Sequence, residues 1–120
     1  MSKITKVIAR QVYDSRGNPT IEAEVFANNM KARAICPSGA STGSHEAYEK
    51  RDTSNKKYLG KSVFKPVQLI NKIISKKLKN QNIHNQEKID YILINLDGTK
   101  QKKKFGANAL LAVSMAVKKL

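Results

Sequence analysis

Between residues 37 and 46 the chain reads Pro37-Ser38-Gly39-Ala40-Ser41-Thr42-Gly43-Ser44-His45-Glu46. The run is small and rich in hydroxyls, with Gly39 and Gly43 as natural hinges. It has no apolar surface of its own to bury, so nothing intrinsic orders it. Its hydroxyls, carbonyls and peptide N–H groups are hard partners, suited to an anion or to a hard cation such as Mg²⁺. A polar, glycine-hinged loop between a strand and a helix can close over a site as a lid. The same composition also describes an exposed connector. Gly39 also invites a phosphate-loop reading, which the absence of a following Gly-Lys-Ser/Thr weakens. His45 and Glu46 behind the loop read either as a surface pair at a helix start or as groups facing a closed site.

The flanking sequence supplies the elements that would hold such a loop. Residues 3–13 are rich in Ile, Val and Tyr and read as a strand. Residues 14–19 form a turn, in which Asp14 and Ser15 start the reversal, Gly17 supplies a permissive backbone and Pro19 restarts an extended chain. Over residues 20–27, Ile21, Ala23 and Val25 alternate with Glu22 and Glu24, the period of a half-buried strand. Asn28-Asn29 suits a tight hairpin. Residues 31–36 give a third strand with Ala32, Ala34 and Cys36 toward the core. Beyond the loop, residues 46–50 fit a short helix and residues 51–62 read as irregular. Residues 64–78 form an amphipathic helix, with Phe64, Val67, Ile70, Ile74 and Leu78 on one side and Lys65, Lys72, Lys76 and Lys79 on the other. Residues 86–96 make a second helix. It places Ile89, Ile92, Leu93 and Leu96 inward, Asn85 as N-cap, Glu87 in the first turn and Gly98 just past the end. Residues 100–104 read as an exposed connector. Residues 107–117 form a helix apolar almost all round, which calls for cover on several sides. Little in the chain looks large enough to provide that cover, so the sequence predicts apolar surface left over there and a larger protein continuing past Leu120. The fold class expected is α+β: a three-stranded antiparallel meander followed by a helical bundle.

Composition bounds the function. The 120 residues suffice for one domain with a modest core, and 40% are hydrophobic. The net charge is +14, carried mostly by Lys in clusters such as Lys102-Lys103-Lys104. That excess invites a nucleic-acid reading. Against it, the lysines are spread along the chain, arginine is scarce, and no nucleic-acid motif accompanies them. A solvated, lysine-biased surface with non-specific affinity for polyanions is the simpler reading. Cys36 is the single cysteine, so there is no internal disulfide, and its place in a strand pattern marks a small buried hydrophobe. The first residues carry no apolar leader and no run is long enough to span a bilayer, which favours a cytoplasmic protein without a membrane partner.

Five segments occur in a telling order: Asp14-Ser15-Arg16-Gly17-Asn18-Pro19-Thr20; the loop 37–46; Tyr58-Leu59-Gly60-Lys61; Leu96-Asp97-Gly98-Thr99; and Phe105-Gly106-Ala107-Asn108-Ala109-Leu110-Leu111-Ala112-Val113-Ser114. Together they closely resemble the amino-terminal domain of the enolase (phosphopyruvate hydratase) family, of bacterial type. The resemblance covers residues 1–120 as one domain. Two departures lie in connectors: Thr53 stands where the family usually has Gly, and Gln101 where it often has Asn.

The resemblance implies a lyase of glycolysis that reversibly dehydrates 2-phosphoglycerate to phosphoenolpyruvate, with Mg²⁺ as cofactor. In the family, the Lys base, the Glu acid and the carboxylates for the first metal belong to a carboxy-terminal β/α barrel that these residues do not include. It therefore implies no catalytic residue in this chain, and inactivity of the chain alone. What it assigns here is the substrate lid, Ser38, Gly39, Ala40, Ser41, Thr42, Gly43 and His45. Ser41 is the ligand of the second, substrate-associated Mg²⁺ through its carbonyl and hydroxyl oxygens. Arg10 and Glu22 are assigned to the interface of a homodimer, against the barrel of the other subunit. A small basic module binding RNA or other polyanions is the alternative reading.

Overall fold

The computed structural model describes residues 2–36, 63–98 and 105–120. Three strands, β1 (Ile4–Tyr13), β2 (Pro19–Ala27) and β3 (Met30–Ile35), form an antiparallel sheet in the order β1-β2-β3. The first turn is built by its own side chain: the Asp14 carboxylate accepts the N–H groups of Arg16 and Asn18, each at 2.9 Å. Gly17 sits at φ +78°, a conformation that costs other residues steric strain. The second turn closes at Ala27↔Met30, with Asn28 at φ 54°. Period-2 alternation then sorts the strands into two faces. Val7, Ala9, Ile21, Ala23, Val25, Ala34 and Cys36 are buried on the inner one. Ala32, expected beside them, is only half-buried.

Residues 64–78 are helical throughout, as α1 (Phe64–Leu69), a π-helical segment (Ile70–Ile74) and α2 (Ser75–Leu78). Val67, Ile70, Ile74 and Leu78 are buried as their spacing predicts. Phe64 is not, at 43% exposed. Val63 and Pro66 explain the difference: both are buried, and they turn the inward arc at the helix start away from Phe64. At about 100° per residue Phe64 falls roughly 110° from the middle of the arc set by Val63, Pro66, Val67 and Ile70.

The π segment brings Asn71 to the free edge of β1. Its Oδ1 accepts the Ala9 N–H at 2.8 Å and its Nδ2 donates to the Ala9 carbonyl at 3.1 Å. A second clamp lies at the start of the strand. The Ile4 N–H donates to the Gln81 carbonyl at 2.9 Å, the Asn80 N–H donates to the Ile4 carbonyl at 2.7 Å, and Lys3 bridges to Asn82. An edge that would otherwise offer open backbone groups is largely occupied.

α3 (Gln86–Asp97) carries the caps its sequence announces. The Asn85 side chain accepts the Lys88 N–H at 3.1 Å, and Gly98 ends the helix at φ +71° with its N–H on the Ile94 carbonyl at 3.0 Å. The Asp97 carboxylate, buried, accepts the Phe105 N–H at 2.7 Å. α4 (Ala107–Lys119) runs two residues further than the apolar run suggested and lies on the inner sheet face against β2 and β3, touching α1 and α3. The sheet covers most of this helix, while Leu111 stays 43% exposed, in keeping with the expectation that the chain would not cover it fully. Ala109, Leu110, Ala112, Val113, Ala116 and Val117 are all buried. The apolar surface left over is narrow, chiefly Leu111 with Tyr91 and Ile94 of α3. The expected helix over 46–50, the irregular stretch 51–62 and the connector 100–104 lie outside the described residues. Within them no helix is long and apolar enough to cross a membrane.

Candidate functional site

The loop residues Ser38, Gly39, Ala40, Ser41, Thr42, Gly43 and His45 lie outside the described residues, but the chain on either side of residues 37–62 is firmly tied. On the upstream side, Cys36 is buried, its N–H donates to the Ile21 carbonyl at 2.9 Å, and its carbonyl accepts the Thr20 hydroxyl at 2.7 Å. On the downstream side, Val63 is fully buried and its N–H donates to Gln11 Oε1 at 2.9 Å. Gln11 and Ile21 face one another in the β1–β2 register. One rung of the sheet, Gln11 and Ile21 with Cys36 alongside, thus anchors both ends of the segment that contains the loop. The Asp14–Asn18 turn joins β1 to β2 at this same end of the sheet. Sequence reading marked Cys36 as core. It missed Thr20, Gln11 and Val63 as anchors, because which residues meet across a sheet depends on register.

The outer sheet face holds the other expected pair. Arg10 and Glu22 are opposite each other in the register, and Glu24 is one diagonal away, opposite Ile8. Arg10 Nη1 reaches Glu22 Oε1 at 2.5 Å and Nη2 reaches Glu24 Oε1 at 2.9 Å. The structure therefore brings Arg10 and Glu22 together and adds a carboxylate that the sequence reading had placed on this face without a role. The hydrogen bonds Arg10 donates to Glu24 and then to Glu22 raise its pKa further above its ordinary value, against a smaller opposing effect of burial. Arg10 holds the Glu24 carboxyl below its ordinary value, mainly by that hydrogen bond, with Lys31 and Arg33 adding smaller attractions. Glu22 is 8% exposed and the Arg10 side chain 39%, so the pair spans the boundary between buried and solvated. Around the triad, Ile8, Val12 and Phe26 are half-buried and Ile35 is 46% exposed.

Among the described residues, no group of three or more His, Cys, Asp or Glu side chains is placed to hold a metal ion. By residue type, the loop 37–46 offers hydroxyl and carbonyl oxygens. Those oxygens suit Mg²⁺, which is commonly held by few protein groups together with water or substrate.

The family profile described as "Enolase, N-terminal domain" matches residues 4–120. Over its whole length the chain is 70% identical to a protein named enolase from Pelagibacter ubique (strain HTCC1062), and it spans 29% of that relative's length.

Proposed function

The chain belongs to the family of enolase amino-terminal domains, and on that premise we propose that it supplies the substrate lid and a dimer contact of a glycolytic phosphopyruvate hydratase. The observation that carries the lid reading is the doubly pinned segment 37–62. A mobile cover needs fixed points from which to swing, and Cys36 and Val63 are held by the same sheet rung.

In the proposed reaction, 2-phosphoglycerate loses its C2 proton and then its 3-hydroxyl, giving phosphoenolpyruvate and water. The base, the acid and the carboxylates for the first metal belong to a barrel domain. Ser41, through its carbonyl and hydroxyl oxygens, would hold the second Mg²⁺ on the lid side. Bound Mg²⁺ supplies Lewis-acid stabilisation of the charge that develops on the substrate. Gly39 and Gly43 would let the loop close, Ser38, Ala40 and Thr42 would belong to the same lid, and His45 would line the closed site near the substrate. Closure excludes water, which strengthens every electrostatic contact inside. Arg10 and Glu22 face the barrel of a second subunit in a homodimer, and the cytoplasm is the compartment this activity fits. The chain alone has no turnover on this reading.

Ser41→Ala in an enzyme that carries this domain on its barrel is the test. One of two oxygen donors is lost and the carbonyl survives, so turnover falls by about ten- to a thousandfold, the effect of removing one preorganised electrostatic contact. The Mg²⁺ requirement of the second site rises with it. Wild-type turnover and Mg²⁺ dependence in that variant would remove Ser41 from the site. Appearance of phosphoenolpyruvate when this chain alone meets 2-phosphoglycerate and Mg²⁺ would overturn the division of labour.

A further inference from the structure

The two edges of the sheet are finished differently. The β1 edge is clamped at Ile4 by residues 80 and 81 and at Ala9 by Asn71. The β3 edge carries no such clamp among the described residues. β3 closes its hairpin on β2 at Ala27↔Met30, and beyond its other end the Cys36 N–H donates to the Ile21 carbonyl. By antiparallel alternation Ala32 and Ala34 bond to β2 as well. Lys31, Arg33 and Ile35 therefore turn their N–H and carbonyl groups outward, and among the described residues none of these groups has a partner. We propose that this edge takes an extended acidic segment of a partner protein as a fourth strand.

Three observations support this occupant. First, the outward groups of Lys31, Arg33 and Ile35 form one row of alternating donors and acceptors on a strand already held along its other side. Such a row is the template on which a sheet accepts an added strand. Second, the residues that carry these backbone groups also carry exposed side chains: Lys31 and Arg33 are exposed, and Ile35 is 46% exposed. Glu24, opposite Arg33, attracts both cations but is bonded to Arg10, and neither cation has an ion-pair partner among the described residues. A strand laid antiparallel along this edge sets its alternate side chains beside Ile35, Arg33 and Lys31 in turn. The matching pattern is apolar-x-acidic-x-acidic. Third, the same cations act against a second copy of the chain as the added strand. Antiparallel self-pairing about Arg33 would set that residue against itself, a destabilising like-charge contact, and the net charge of +14 repels two copies at longer range.

The test uses this chain, isotope-labelled, and three capped peptides. They are Thr-Val-Thr-Glu-Thr-Glu-Thr, the same sequence with both Glu replaced by Gln, and the Glu peptide N-methylated at its first Glu, the residue that would face Arg33. The Glu peptide should give saturable amide shifts and slowed hydrogen exchange at Lys31, Arg33 and Ile35, while the Ala9 amide at the clamped edge stays unchanged. The Gln peptide should bind about three- to tenfold more weakly, and the methylated one at least about tenfold, because it has lost a backbone donor. K31Q/R33Q should abolish the preference for Glu over Gln, whereas K118Q/K119Q, with the same charge change on α4, should keep it. All four side chains are exposed, so both variants should keep the wild-type circular dichroism. Should K31Q/R33Q not fold, the three peptides on the wild-type chain decide. Equal binding of the methylated peptide would leave charge alone and no added strand. That result, equal binding of the Gln peptide, shifts centred on α4, no shifts at all, or pairing of β3 with a second copy of the chain would each overturn the proposal.

Discussion

The two faces of one sheet are made by the same three strands and the same alternation, yet they end in opposite states. On the inner face Ile21, Ala23 and Val25 are fully buried beneath helices. On the outer face, one residue out of register with them, Glu22 and Glu24 share Arg10, and Ile35 stays 46% exposed. The inner face is finished by the chain's own α4. The outer face has settled its charges internally and leaves Ile35 at the surface with Ile8, Val12 and Phe26 half-buried. A strand pattern thus announces two faces, but only the packing tells which one the chain closes by itself.

The largest test of this contrast pits one face against the other. Ile21→Ala removes a fully buried side chain and should cost about 2–5 kcal/mol in denaturant unfolding. Ile35→Ala removes a half-exposed one and should cost less than about 1 kcal/mol, unless the protein is dimeric. Equal losses in the monomer would erase the distinction between the faces.

Asn71→Ala comes next. It opens the clamp on Ala9 and leaves a partly buried N–H and carbonyl to find water, at a cost of about 1–3 kcal/mol. Hydrogen exchange at the Ala9 amide should accelerate more than exchange at Ala23, which lies on the central strand. If both accelerate alike, the helical stretch holds the sheet by packing alone and the clamp adds nothing.

A smaller effect tests the helices that back the inner face. Asn85→Ala removes the side chain that accepts the Lys88 N–H and should cost about 1 kcal/mol. Gly98→Ala forces a side chain into φ +71°, for about 1 kcal/mol of backbone strain. The added Cβ would meet only the Asn95 carbonyl at an ordinary 3.6 Å, so little steric penalty joins it. Thermal unfolding of the single variants and of the pair checks both, and the losses should add if the two ends of α3 act independently.

These caps were legible because they are local: Asn85, Glu87 and Gly98 stand at fixed offsets from an apolar period. The strand faces were legible for the same reason, in the alternation of residues 20–27. What escaped the sequence was whatever depends on distant partners. The π segment gives no compositional sign, and Asn71 reads as a helix-surface residue until β1 is beside it. Phe64 fits the apolar period, yet Val63 and Pro66 decide which side of the helix start turns inward. α4 announced incomplete cover, and Leu111 is indeed exposed, but counting elements does not reveal how much of it the inner face of β2 and β3 takes up. Glu24 had its face assigned correctly and its partner missed, since Arg10 reaches it only on the diagonal of a register the sequence does not state. The anchors beside the loop, at Thr20, Gln11 and Val63, were set by register.

Glu24 also carries the subtlest prediction, one that sharpens the picture of an outer face balanced by its own charges. Arg10 lowers the Glu24 pKa below the ordinary 4.5, chiefly through their hydrogen bond. A carboxyl depressed in the folded state stabilises the fold fully above its unfolded pKa and loses that contribution as pH falls through the lower folded value. Glu24→Gln keeps an oxygen that can accept from Arg10 but never carries the charge. The variant should therefore be slightly less stable than wild type at neutral pH. The gap should close as pH drops below about 4.5, where the wild-type carboxylate also gains its proton. Added salt at neutral pH should narrow the gap too, because the carboxylate is close to the surface and its attraction to Arg10, Lys31 and Arg33 is screened. Denaturant midpoints across this pH range, with and without salt, decide the matter. A gap that stays constant with pH would mean that Glu24 contributes shape and hydrogen bonding but no charge, leaving Glu22 as the sole counter-charge of Arg10.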